Sequence, residues 1–124
     1  MTIVVGFSAR PEGEAALAHA AAEAQLRGSR VLVVPNTDAD DPAAVLALLD
    51  GVAYEVVAPS ETGLLAERLI EVAEAENAEA IVIGLRRRSP TGKLLLGLNA
   101  QRILLDASCP VHAVKAPEEP RERD

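Results

Sequence analysis

Ala80-Ile-Val-Ile-Gly84-Leu-Arg-Arg-Arg88-Ser-Pro-Thr-Gly92-Lys-Leu-Leu-Leu-Gly97-Leu-Asn-Ala-Gln-Arg102-Ile-Leu-Leu105 is the stretch on which the reading of this chain turns. Its twenty-six residues contain no acidic side chain, although the protein carries a net charge of -7. Arg86, Arg87, Arg88, Lys93 and Arg102 give it +5, so the remainder carries -12. Ala80 to Ile83 reads as a buried strand, Leu85 to Leu96 as a basic loop between glycines, and the segment near Leu98 to Ser108 as a helix. A helix N-terminus offers unpaired N–H groups and partial positive charge, so basic residues beside it favour an anion. In open α/β sheets ligands sit beyond the carboxyl ends of the strands, where this loop leaves the fourth strand. The plainer reading is that three arginines keep a long loop solvated.

Outward from that stretch, the chain alternates strand and helix. Thr2 to Val5 is a β-branched run ending at Gly6, as expected of a strand covered on both faces. Pro11 and Glu12 suit the first turn of a helix through Arg27, with Gly28 as its stop. Ala16, Leu17, Ala20, Ala21 and Ala24 fall on one face of it. Ser29 to Pro35 is a second strand. The acidic run Asp38 to Asp41 and Pro42 form a loop and cap before a short helix, Ala43 to Leu49. Val52 to Ala58 is a third strand, and Ser60 caps a helix reaching about Asn77, with Leu65, Leu69, Val72 and Ala73 at helical spacing. In the following helix Ala100, Ile103, Leu104 and Ala107 are expected to be buried. Val111 to Val114 is the last strand. This alternation predicts one α/β domain over residues 1–116 with a mostly parallel sheet. Residues 117–124 are a charged, proline-containing tail expected to be disordered.

Composition narrows the function. Only 2% of residues are aromatic against 49% hydrophobic, so the core is built from Ala, Val, Leu and Ile. The single Cys109 excludes an internal disulfide. No apolar run reaches the ~20 residues of a membrane span, and Met1-Thr-Ile-Val-Val reads as a strand start, not a leader peptide. An acidic chain is a poor match for nucleic acid. A cytoplasmic protein without nucleic-acid or membrane partners is the expectation.

Several familiar sites are missing from the sequence. Lys93 is followed by Leu94 and preceded by no suitably spaced glycine, so there is no P-loop, and no Gly-x-Gly-x-x-Gly follows the first strand. The acidic run lacks the Gly and Glu of a calcium loop and is read as loop solvation and capping. His19 is read as a solvated helix residue, His112 as an edge-strand residue and Cys109 as a small buried residue; no metal site is expected.

The segment from Gly84 to Gly97, its continuation through Ala100-Gln-Arg-Ile-Leu104, and Cys109-Pro-Val111 resemble the universal stress protein family. Ile3-Val-Val-Gly6 and Pro11-Glu-Gly-Glu-Ala-Ala-Leu17 match the family's first strand and helix, so the resemblance spans the chain to Lys115. It implies a single-domain, Rossmann-like open parallel sheet of five strands, ordered 3-2-1-4-5, with helices on both faces. It also implies a homodimer through Val111 to Val114, whose exposed edge invites pairing. The implied function is a non-catalytic stress-response module with a degenerate pocket for ATP, AMP or another adenine nucleotide. Nucleotide-binding members carry Gly-x2-Gly-x9-Gly and then Ser or Thr. Gly84 and Gly97 match the outer glycines, whereas Arg87 replaces the middle one and Leu98 the hydroxyl. Ser8 stands where such members have Asp.

The candidate site is therefore Gly6, Ser8, Val34, Gly84, Arg86, Arg87, Arg88, Gly97, Leu98 and Asn99. The arginines and the N–H groups near Gly97 would hold phosphate, Asn99 would cap the helix or replace a polar contact, and Val34 would line the base as its family counterpart does. Two alternatives stand beside this reading. One is a family member without nucleotide that works through its dimer surface; the other is a nucleotide hydrolase or adenylate-forming enzyme of similar fold.

Overall fold

A computed structural model describes residues 1–59, 65–88 and 93–116. Ser60, residues 89–92 and the tail 117–124 lie outside the described residues. The elements run β1 (Thr2–Phe7), α1 (Pro11–Arg27), β2 (Arg30–Pro35), a 3-10 helix (Pro42–Leu49), β3 (Tyr54–Val56), α2 (Leu65–Ala75), β4 (Ala80–Arg88), β5 (Lys93–Leu95), α3 (Leu98–Asp106) and β6 (Val111–Lys115).

Five strands form one parallel sheet in the spatial order β3-β2-β1-β4-β6. Counted among the parallel strands alone, that is the order 3-2-1-4-5 the resemblance implies. The central strands read as unbroken apolar runs because both faces are covered. Successive side chains nevertheless go to opposite layers, as the two-residue period of a strand requires. Ile3, Val5, Phe7, Val31, Val33 and Val82 join α1 and Leu49 in one core. Val4, Leu32, Val34, Ile81 and Ile83 join Leu69 of α2 and Ile103 of α3 in the other.

Helix α1 has Pro11 in its first turn, with Glu12 and Glu14 at its positive end. It ends at Gly28, whose φ of 68° is a left-handed conformation and whose N–H donates to the Ala24 carbonyl. Its buried stripe is Ala16, Leu17, Ala20, Ala21 and Ala24. Small alanines let the helix backbone approach the sheet closely.

Four expectations are corrected. The basic loop is partly strand: β4 continues to Arg88 and pairs antiparallel with β5, Arg86 opposite Leu95 and Arg88 opposite Lys93. The segment after Asp41 is a 3-10 helix; it ends at Asp50 before Gly51 turns at φ 80°, too short for α-helical propagation to outweigh nucleation. Strand β3 covers only Tyr54–Val56 and is exposed throughout, because it is an edge strand paired only with β2 among the described residues. In α3 Ile103 is the buried residue, whereas Leu104 is 43% exposed. That helix packs chiefly on α2, so only one of its side chains penetrates to the sheet.

Candidate functional site

A cleft of about 530 Å³ opens at the carboxyl ends of β1 and β4. These adjacent strands are the switch point of the sheet, since the chain passes from β1 to β2 on one side and from β4 to β6 on the other. Ligand pockets usually measure ~300–1,000 Å³, so a small molecule fits. Its floor is Gly6 and Phe7 of β1 and Ile83 and Gly84 of β4. Ser8, Arg10 and Glu12 form one wall, Gly97 and Asn99 another, and Asn36, Thr37 and Asp40 a third. Arg86 lies at the rim.

Two helices present their N-termini to this space. Arg10 is the N-cap of α1 and Gly97 the N-cap of α3, and neither end receives a side-chain cap. At α3, whose first turn holds no acid, the uncapped N–H groups with the helix dipole behind them make an anion-binding surface, whereas Glu12 and Glu14 already stand at the positive end of α1. An added Cβ on Gly97 would meet no atom of the described residues within 4 Å.

Close backbone packing holds the floor in place. A Cβ on Gly84 would strike the Glu12 carbonyl, and one on Gly13 the Ser8 backbone. Both glycines therefore serve the seating of α1 against β1 and β4. The third wall is tied down by Asp40. Its Oδ1 accepts from the Ala9 N–H at 2.9 Å, and its Oδ2 accepts from the Thr37 N–H at 3.1 Å and the Thr37 hydroxyl at 2.9 Å. Asp41 caps the 3-10 helix, its Oδ1 accepting from the Ala43 N–H at 2.9 Å. The acidic run thus does the capping and loop work expected of it. Asp40→Ala removes all three Asp40 bonds and is expected to cost about 1–2 kcal/mol, lowering the melting temperature by roughly 5 °C in a thermal denaturation series.

Of the sequence-derived candidates, the cleft gathers Gly6, Ser8, Gly84, Arg86, Gly97 and Asn99. Val34 is fully buried in the α2-side core and is not part of the lining. Its side chain points into the layer between sheet and helix instead of past the strand end. Leu98 is 84% exposed, with its side chain turned to solvent beside the cleft. The side chains of Arg87 and Arg88 lie outside the described residues. Arg102, counted in the basic stretch, is spent elsewhere: it pairs with Glu67 of α2 at 3.1 Å and with Asp106 at 3.2 Å. Gly13, Asn36, Thr37 and Asp40 also line the cleft and are not among the residues the sequence singles out. Their signal was positional: the segments after β1 and β2 leave the same edge of the sheet as Arg86.

Burial of Cys109 against the α2-side core pushes its thiol above the usual range, so it suits packing and not nucleophilic chemistry. Among the described residues no helix is long and apolar enough to cross a membrane.

The model of the universal stress protein family matches residues 37–115. The chain is 38% identical to a universal stress protein of Mycolicibacterium smegmatis over 125 residues, covering 91% of this chain and 96% of the relative. A universal stress protein from Archaeoglobus fulgidus superposes with a TM-score of 0.77 at 32% identity, over 93% of this chain and 98% of that one. Another structure, the universal stress protein from Archaeoglobus fulgidus in complex with dAMP, gives a TM-score of 0.72 at 24% identity over the same shares, a likeness of fold.

Proposed function

The chain belongs to the universal stress protein family, and from that membership we propose that it is a regulatory binding module for a small adenine nucleotide, acting without turnover. The observation that carries this reading is the uncapped, acid-free N-terminus of α3 in a cleft at the switch point of the sheet. Phosphate would lie against the N–H groups at Gly97, with Arg86 supplying a guanidinium fork that matches its oxygens. Ser8, Asn36 and Thr37 offer neutral polar contacts along the walls. The dAMP bound by the Archaeoglobus fulgidus protein of similar fold supports the choice of an adenine nucleotide.

The module would work in the cytoplasm as a homodimer. Among the described residues β6 pairs with β4 alone, which leaves its other edge as the place for a second copy to dock. A member of the family acting only through that surface is the competing reading.

Calorimetric titration of the full chain with ATP, ADP and AMP separates the two. Saturable binding is expected, and Arg86→Glu is expected to weaken it about tenfold, since one charge-assisted contact is worth roughly 1.5 kcal/mol. Absence of any heat or thermal shift at millimolar nucleotide would remove the pocket reading and leave the dimer surface as the functional one.

A further inference from the structure

The two histidines of the chain, separated by ninety-three positions, meet on the α1 side of the sheet. His19 Nε2 of α1 lies 3.0 Å from His112 Nδ1 of β6, with the rings edge-on at 67° and centroids 5.2 Å apart. Glu23 stands one helical turn beyond His19 on the same face of α1, as residues four apart do. Its Oε1 is 4.0 Å from His112 Nδ1. One donor atom from each of the three residues lies within 4.8 Å of the other two. All three are half-buried, and none lines the nucleotide cleft.

We propose that His19, Glu23 and His112 form a binding site for a divalent transition-metal ion, with zinc as the ion of best fit. Two imidazole nitrogens and one carboxylate oxygen are the donor set of three-ligand zinc sites, in which water completes a tetrahedron. At metal–nitrogen distances of ~2.0–2.1 Å, tetrahedral imidazole nitrogens sit ~3.4 Å apart, so the observed 3.0 Å needs only a small parting of the rings. Without metal the same nitrogens satisfy each other by one hydrogen bond, which keeps both rings aimed at a common point. Calcium and magnesium prefer six or more oxygen donors and are a poor match.

Glu23 has a competing partner, since Arg27 Nη2 lies 3.2 Å from its Oε1. That pair is an i,i+4 contact whose guanidinium is 45% exposed, and such pairs contribute little, so a metal ion can displace it. The ion would bridge α1 to the edge strand and thereby fasten β6, the strand proposed as the dimer edge. The site does not depend on the nucleotide reading.

The test uses the full chain without a histidine tag, stripped with chelator and titrated with zinc chloride by calorimetry. Cobalt(II) serves as a second probe through its visible absorption. We expect one zinc per chain at micromolar affinity or tighter, a tetrahedral cobalt spectrum, and a rise in melting temperature with zinc, as a ligand of the native state must give. Glu23→Gln, which keeps the side-chain volume, is expected to weaken zinc at least tenfold. His19→Ala with His112→Ala should abolish both the zinc heat and the cobalt band, while circular dichroism confirms that the variant is folded. Because the chain holds no other histidine, residual binding cannot come from another imidazole. Failure of the wild-type chain to bind zinc saturably, or equal binding by the folded double variant, overturns the proposal. Nucleotide titration of the same samples keeps this outcome separate from the fate of the cleft.

Discussion

Gly84→Ala is expected to lower the melting temperature by about 10 °C or more, a large loss for the addition of a single methyl group. The cause is space and not torsion: the new Cβ would run into the Glu12 carbonyl of α1. Overpacking usually costs ~1–3 kcal/mol, and the upper end applies when the obstacle is backbone, because no rotamer change relieves it. A domain of this size holds about 5–15 kcal/mol in all, so ~3 kcal/mol is a large share and converts to roughly 10 °C. Helix α1 must rise from β4 to make room, which widens the cleft and separates Ser8 and Arg10 from Gly97. Nucleotide affinity is therefore expected to fall with stability. Gly6→Ala is the internal control. There the added Cβ meets Leu69 Cδ1 at 2.9 Å, the far end of a flexible side chain that can shift. Its loss should be a fraction of that at Gly84. Equal melting temperatures for the two variants would show that α1 is not seated on β4 through Gly84.

The sequence made the layers legible and the pairings between distant residues illegible. β1, β2 and β4 were readable because burial on both faces leaves a continuous apolar run, a signal contained in four or five neighbouring residues. α1 was readable from Pro11, the alanine stripe and Gly28 for the same local reason. Gly84, Arg86 and Gly97, which line the cleft, were legible because they lie in the acid-free stretch that runs from the fourth strand to the start of the next helix. Where a side chain points is a different matter. Val34 is in phase with the buried α2-side row of its strand, so it stays beneath the sheet's edge while Asn36 and Thr37 reach the cleft. Arg102 looks like a free cation in a stretch without acids, yet its partner Glu67 comes from another helix. His19 and His112 each have an unremarkable local context, and only the parallel pairing of β6 with β4 brings them together. Contacts of that kind are set by topology, and no window of sequence contains them.

Leu98→Ser is expected to raise the affinity for ATP at least tenfold, by supplying the hydroxyl that the family resemblance implies after the last glycine of the loop. A hydroxyl bonded to a charged phosphate is worth ~1.5–3 kcal/mol, which corresponds to roughly ten- to 150-fold in the dissociation constant. The substitution is unusually clean. Leu98 is 84% exposed, so its removal sacrifices almost no buried apolar surface and leaves both cores intact. It is also the first residue of α3, between Gly97 and Asn99, both of which line the cleft. Serine at that position is small enough to turn its oxygen either toward the opening or toward the free N–H groups of the first turn. The second choice would cap the helix, raise its stability slightly and compete with the ligand for the same donors. The two outcomes separate experimentally: a hydroxyl on phosphate raises affinity for ATP, ADP and AMP in step with the phosphate it reaches, whereas a cap raises the melting temperature without nucleotide and lowers affinity. An unchanged dissociation constant, with an unchanged melting temperature, would mean that the phosphate does not lie at the head of α3, and the anion would have to be sought at the N-terminus of α1 beside Arg10.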